Sequence, residues 1–300
     1  MKEIHFAGGC FWGVQHFFSQ VDGVIEATCG YANGDKNNPT YEEVYTDTTG
    51  FAETVRVEYD PSRVSLEELT ELFFTIIDPL SMNRQGHDEG TRYRTGIYYT
   101  NPIKRPILEE VYARVKDKLG APLAVELEPL RNFFPAEERH QDYLSKNPEG
   151  YCHLSPKTFR YLRLYQDIKL YLGDEPDTIA RMADTAALLS ERMHFFWTGF
   201  YRADGETLVL GPFQGPSACM RIGFGKGVCG TAWEQKRTQV VPDVELFPGH
   251  IACSSASKSE IVVPIIKNNE VTAVLDIDSD EKDSFDQTDA IWLEKIAGLI

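Results

Sequence analysis

Three hundred residues fit one large domain or two of ordinary size, and either is long enough to bury a substantial core. Apolar residues at 42% and charged residues at 25% describe a globular chain and exclude collagenous or disordered classes. Thirty basic against forty-six acidic residues leave a net charge of −16, which argues against a partner built on a phosphate backbone, so no nucleic acid is expected. The deficit is spread out: residues 1–154 hold 15 basic and 25 acidic side chains, residues 155–300 hold 15 and 21, and there is no acidic tail. No apolar run of about 18 residues exists, so no membrane span is expected. The first residues, MKEIHFAGGCFWGV, lack the apolar core of a signal peptide, and a cytoplasmic address follows as the expectation. In that reducing compartment six cysteines (10, 29, 152, 219, 229 and 253) are catalytic, metal-bound or inert rather than a structural disulfide framework.

The elements run in chain order as follows. A short apolar strand, Ile4 to Ala7, meets Gly8-Gly9 and then Cys10. From Phe11 the apolar positions Phe11, Val14, Phe18 and Val21 recur at helical spacing, so Cys10 sits at a helix start. Thr54 to Tyr59 alternates as a strand before the Asp60-Pro61 turn. Leu66 to Ile77 reads as an apolar-faced helix capped by Ser65. Gly96 to Tyr99 is another strand and Ile103 to Leu119 another helix, an α/β or α+β layer pattern. Regularity is lost between about Asn147 and Tyr161, which places a domain boundary near 155. Beyond it come a helix over roughly Asp177 to Met193, five short strands (195–202, 206–213, 238–244, 259–266 and 271–278), and a last helix from about Asp286, capped by Ser284 or Asp286. This second half reads as an antiparallel sheet with helices at its ends.

A cysteine after Gly-Gly at a helix N-terminus meets free backbone N–H groups and the positive end of the helix dipole, both of which favour thiolate and lower the thiol pKa. Its competing reading is a small buried hydrophobe in a turn. The sequence GGCFWG (8–13) decides between them, because it resembles the active-site motif of the type A methionine sulfoxide reductases. The resemblance covers about 1–155 and continues in TYEEV (40–44), GFAE (50–53), NRQGHDEGTRYRTGIYY (83–99), HQDYL (140–144) and NPEGYC (147–152). It implies a two-layer α/β sandwich. It also implies that Cys10 attacks the sulfur of methionine S-sulfoxide, free or protein-bound, while Glu53 protonates the departing oxygen, which needs a raised pKa. Tyr41 and Tyr93 would hydrogen-bond that oxygen, Asp88 would organise the site, and Phe11 and Trp12 would pack on the substrate methyl group. Cys152 would convert the resulting sulfenic acid to a disulfide, and a dithiol such as thioredoxin would reset it. Cys29 matches no such role and reads as structural. The family usually carries His where this chain has Phe51, and an aromatic where it has Arg139.

Cys219, Cys229 and Cys253 form no CxxC pair, which argues against a structural zinc knuckle. His250 with the three cysteines is the remaining zinc arrangement, and three inert thiols are the plain alternative. GPFQGPSACMRIGFGKGVCGTAW (211–233), PDVELFPGHIACSSASKSEIVVPI (242–265) and FFWTGFYR (195–202) resemble the free methionine-R-sulfoxide reductases, whose fold is a GAF domain, over about 160–300. The resemblance makes Cys253 the nucleophile, Cys219 its resolving thiol and Cys229 a second disulfide partner; nucleophile and resolver are not separable by spacing. Asp276 and Asp278 alternate with Leu275 and Ile277, so both face one side of a strand, where two like charges need a cation or a proton between them. The α-ammonium of a free amino acid supplies one. Glu260 on the neighbouring strand would join them, with Trp197 and Tyr201 walling the thioether end. The alternative leaves both aspartates in solvent beside the acidic loop.

The sequence therefore predicts a bifunctional reductase that handles the two sulfoxide epimers in separate domains without cofactor or metal, with a homodimer left open. A catalytic first domain with a non-catalytic GAF sensor is the main alternative, and a thiol peroxidase with a regulatory domain a third.

Overall fold

In the computed structural model, which describes residues 2–249, 251 and 256–300, the N-terminal apolar run forms β1 (Lys2–Gly8). The chain divides into two compact units, residues 1–156 and 157–300.

In the first unit, β1 is followed by α1 (Phe11–Phe18), β2 (Val24–Ala32), α2 (Tyr41–Tyr45), β3 (Ala52–Tyr59), α3 (Leu66–Phe74), a small ribbon of β4 (Arg84–Gln85) and β5 (Asp88–Glu89), β6 (Thr95–Tyr99), α4 (Arg105–Leu119), β7 (Glu126–Pro129), β8 (Phe133–Pro135) and α5 (Tyr143–Lys146). Six strands make one sheet in the order β7-β6-β1-β3-β2-β8, antiparallel except at β6–β7. The two-residue period of β1 explains its two faces. Phe6 stacks on Phe18 of α1 at 4.9 Å and on Phe73 of α3 at 4.7 Å, so that side carries the helices. His5 and Ala7 face the other way, where Ala7, Ala32, Ala52 and Tyr98 leave room for Leu130 and Phe133. Ser65 caps α3 by accepting from the Glu68 N–H at 3.0 Å.

The second unit contains α6 (Pro156–Leu172), α7 (Thr178–Met193), β9 (Trp197–Asp204), β10 (Thr207–Gln214), β11 (Arg221–Gly223), α8 (Gly227–Gln235), β12 (Gln239–Val241), β13 (Ser259–Lys267), β14 (Glu270–Ser279) and α9 (Gln287–Ala297). Its sheet is antiparallel throughout, in the order β11-β10-β9-β14-β13-β12. Helix α6 was not expected, since the prolines and glycine before it suggested irregular chain up to Tyr161. Pro156 is its first residue, a position where the missing N–H costs nothing and the fixed φ favours the helix. Asp286, rather than Ser284, caps α9 through a capping box with Asp289. Helix α8 lies across the sheet face that carries Tyr201, Val262 and Val274, and it contributes Val228, Cys229 and Ala232 to the core there.

Candidate active sites

Gly9 (φ +81°) turns the chain out of β1 and sets Cys10 at the N-cap of α1. A Cβ on Gly9 would lie 2.6 Å from Gln85, so the turn admits only glycine. Cys10 is free and 6% exposed. The Trp12 backbone N–H favours its thiolate as expected, but burial outweighs it, and charge on Glu53 and Asp88 adds to burial, so the thiol is held well above its ordinary range. This corrects the sequence expectation of a lowered pKa. A helix terminus stabilises a thiolate only as far as it repays lost solvation, and here it does not.

The neighbouring carboxyl is also pushed toward its protonated form. Glu53, on β3 and 2% exposed, accepts the Phe11 backbone N–H at 3.0 Å on Oε2. Burial pushes its carboxyl up to about 8, against the opposing pull of that N–H and of Arg92. Charge on Glu53 and Cys10 helps raise the phenols of both Tyr41 and Tyr93. Burial raises both phenols, Tyr41 to about 12, so both are neutral donors. Asp88 stands at the turn of the small ribbon and accepts the Tyr151 hydroxyl at 2.9 Å. Phe11 and Trp12 form an aromatic cage with His140 (centroids 5.4 and 5.7 Å away), and Trp12 stacks on Tyr143 at 3.9 Å.

Cys152 is half-buried and free, and lies against the first turn of α1, since a Cβ on Gly13 would come within 3.3 Å of its sulfur. It is near enough to Cys10 for its charge to raise the Cys10 thiol. Cys29 is fully buried, with its thiol 3.6 Å from the Phe11 carbonyl, and Gln141 clamps its backbone by accepting from its N–H at 2.9 Å and donating to its carbonyl at 2.9 Å.

Phe51 turns away from the cage and packs on Phe134 at 5.8 Å and over Gly34, where a Cβ would meet its ring at 2.2 Å. Arg139 is exposed, donates to Glu42 at 2.6 Å and lies 5.7 Å over the Tyr41 ring. Three residues that sequence reasoning did not single out shape this site. His140 closes the cage, Gln141 ties it to β2, and Arg92 stacks on Tyr93 at 4.4 Å while pairing with Asp47. Their signal lay in the segments 83–99 and 140–144 already noted.

In the second unit one cavity is lined by Trp197, Tyr201, Cys229, Glu260, Asp276 and Asp278, among others. Strand register brings the acids together, with Glu260 opposite Asp278 and Val262 opposite Asp276. Glu260 and Asp276 are 7% and 6% exposed, which excludes the solvent-facing alternative. Among the described residues no cationic side chain pairs with any of the three. Burial and mutual repulsion hold Glu260 and Asp276 well above the usual carboxyl range, while Asp278 is raised less, to about 6, by burial against a hydrogen bond from Ser257. Cys229, free and buried, lies with Glu260 and Asp276 inside a 4.8 Å cluster, and its thiol is raised by burial and by those acids. Trp197 donates to the Pro216 carbonyl at 3.0 Å and stacks on Phe213, and Tyr201 donates to the Cys219 carbonyl at 2.9 Å. Cys219 is disulfide-bonded. Cys253 and His250 lie outside the described residues.

A family described as peptide methionine sulfoxide reductase matches residues 2–169. The chain belongs to the peptide methionine sulfoxide reductase family. The Peptide methionine sulfoxide reductase MsrA of Clostridium acetobutylicum is 51% identical over 154 residues, which is 51% of this chain and 95% of that protein. A second family, described as GAF domain, matches residues 173–300. Two solved structures align with about half of the chain. Free methionine-R-sulfoxide reductase from Neisseria meningitidis, in complex with its substrate, is 49% identical and covers 48% of this chain and 87% of its own, with a TM-score of 0.47. The fRMsr of Staphylococcus aureus in reduced form is 48% identical over 47% and 92%, with a TM-score of 0.46. The reductase is thus a two-domain mixed α/β oxidoreductase acting on methionine sulfoxide, with a GAF domain in its second half. No helix among the described residues is long and apolar enough to cross a membrane.

Proposed function

We propose that the two units, about 1–155 and 160–300, reduce opposite epimers of methionine sulfoxide at two cysteine centres. What carries this reading is a buried, raised carboxyl beside a cysteine in each unit, Glu53 by Cys10 in the first and Asp276 by Cys229, the further disulfide partner, in the second. In the first, the Cys10 sulfur attacks the sulfoxide sulfur of the S epimer while Glu53 gives its proton to the oxygen, and the proton that the Cys10 thiol loses restores Glu53. The oxygen leaves on Cys10 as sulfenic acid and methionine departs reduced. Tyr41 and Tyr93 steady the oxygen, Asp88 orders the surrounding turn, and Phe11 and Trp12 hold the methyl group. Cys152 then displaces water to give a Cys10–Cys152 disulfide, and an external dithiol such as thioredoxin reduces it in a cytoplasmic setting.

In the second unit the substrate is the free R epimer. Its α-ammonium supplies the cation that the Glu260, Asp276 and Asp278 cluster lacks, with Asp278 the member that ionises first. The more strongly raised Glu260 and Asp276 hold the proton that the sulfoxide oxygen takes. Trp197 and Tyr201 wall the thioether, Cys253 attacks, and Cys219 resolves, with Cys229 a further disulfide partner. The disulfide at Cys219 and the sequence identity to the Neisseria meningitidis protein support this half. Peptide mapping by mass spectrometry after one turnover of reduced protein tests the pairing. S-sulfoxide alone should link Cys10 to Cys152, and R-sulfoxide alone should link Cys253 to Cys219; the same pair from both epimers would refute two centres.

A further inference from the structure

The segment that carries Cys152 also brings His153 to the first centre, where sulfoxide reduction gives that imidazole no task. Both ring nitrogens are buried and neither makes a full hydrogen bond; the Gly8 carbonyl is the polar group that interacts with the ring. One nitrogen of His153, the Cys10 sulfur and a carboxylate oxygen of Asp88 all lie within 4.8 Å of one another. Three donors of different softness converging on one point outside the sheet are a ligand set, and a buried imidazole without a partner is costly unless something takes its lone pair.

We infer that Cys10, Asp88 and His153 form a site for a thiophilic divalent cation of the zinc class, which reversibly blocks the first centre. Thiolate, imidazole and carboxylate are the donors zinc accepts, and three of them leave a fourth tetrahedral position for water. Zinc bonds of about 2.0–2.3 Å put neighbouring donors roughly 3.5 Å apart, so small side-chain rotations close the present spacing. Metal-bound histidines commonly give their other N–H to a backbone carbonyl, and the Gly8 carbonyl is the backbone group that interacts with this ring. Binding moves no electrons. The metal replaces the proton of the Cys10 thiol, which is released, and the sulfur is no longer a nucleophile until a chelator removes the ion. The disulfide form offers no thiolate and cannot bind. Cys229, Glu260 and Asp276 also lie within 4.8 Å of one another, but they lack an imidazole and belong to the second pocket.

The test uses the full chain, reduced and then freed of reductant. Cobalt(II) should give a thiolate-to-metal charge-transfer band, and part of that band should vanish in Cys10→Ser. Zinc should stop a single turnover of S-sulfoxide, and EDTA should restore it. His153→Ala and His153→Gln should both turn over without metal as the parent does, yet need at least about 10-fold more zinc for the same block. The inference fails if both His153 variants keep the parent zinc sensitivity, or if the cobalt band is unchanged in Cys10→Ser. It rests on Cys10 as nucleophile only for the activity readout. If Cys10→Ser still reduces S-sulfoxide the functional reading fails, while the cobalt result stands on its own.

Discussion

On the proposed reading, the two centres meet one requirement, a proton for a sulfoxide oxygen at neutral pH, with opposite architectures. The first isolates a single carboxyl. Glu53 is buried against the Phe11 backbone N–H, and desolvation, with a smaller push from the charges of Asp88 and Asp47, raises it to about 8. The second gathers three carboxyls on two adjacent strands, and repulsion joins burial in raising Glu260 and Asp276. A lone buried acid leaves the surrounding cage neutral and aromatic, which suits a methionine side chain whatever its backbone is attached to. An acid cluster leaves negative charge in the pocket, which selects a substrate carrying its own cation. The proposed reading thus assigns proton supply and substrate range to the same side chains in each unit.

Removing the acid should break this comparison most sharply. Glu53→Gln keeps the shape and the hydrogen bond to Phe11 but has no proton to give, so S-epimer turnover should fall roughly 10²–10⁴-fold with R-epimer turnover unchanged. Asp278→Asn should act on binding in the other unit. Losing one buried charge partner costs about 2 kcal/mol or more, so KM for free R-sulfoxide should rise roughly 30-fold, with a smaller change in kcat.

The pH profiles should separate the units without mutation. S-epimer activity depends on protonated Glu53 and should decline as pH rises through about 8. R-epimer KM should rise as pH falls through about 6, where Asp278 takes up its proton. Stability follows the same sign in the first unit. Its folded state keeps the Glu53 proton over a range where the unfolded chain has lost it, so stability declines as pH climbs toward about 8. The smallest effect is expected at Gly13. Alanine there gains about 1 kcal/mol in helix propensity, but its Cβ would lie 2.9 Å from the His153 ring. Tm should hold or rise while Cys10–Cys152 disulfide formation slows a few-fold.

Much of this was legible because it is local or periodic. Cys10 after two glycines announces a helix start, and Asp276 and Asp278 at alternate positions announce one face. Their meeting with Glu260 is a matter of strand register, which the sequence only suggests by placing it in the adjacent strand. The sequence shows the helix start beside Cys10 but neither the burial that outweighs it nor the added charge of Glu53 and Asp88, which come from distant segments. His140, Gln141 and Arg92 were within recognised segments, but their tasks depend on contacts to Trp12, Cys29 and Tyr93 across the fold. Phe51 and Arg139 depart from the family pattern, the first packing on Gly34 and the second exposed over the Tyr41 ring and paired with Glu42.

The most direct measurement supplies free racemic methionine sulfoxide and excess dithiothreitol to the parent chain, Cys10→Ser and Cys253→Ser, and follows each epimer by chiral chromatography. A two-centred enzyme removes both epimers, loses only the S epimer activity with Cys10→Ser and only the R epimer activity with Cys253→Ser. If the parent leaves half the sulfoxide behind as pure R epimer, the second unit binds without catalysing and the two-centred assignment is wrong.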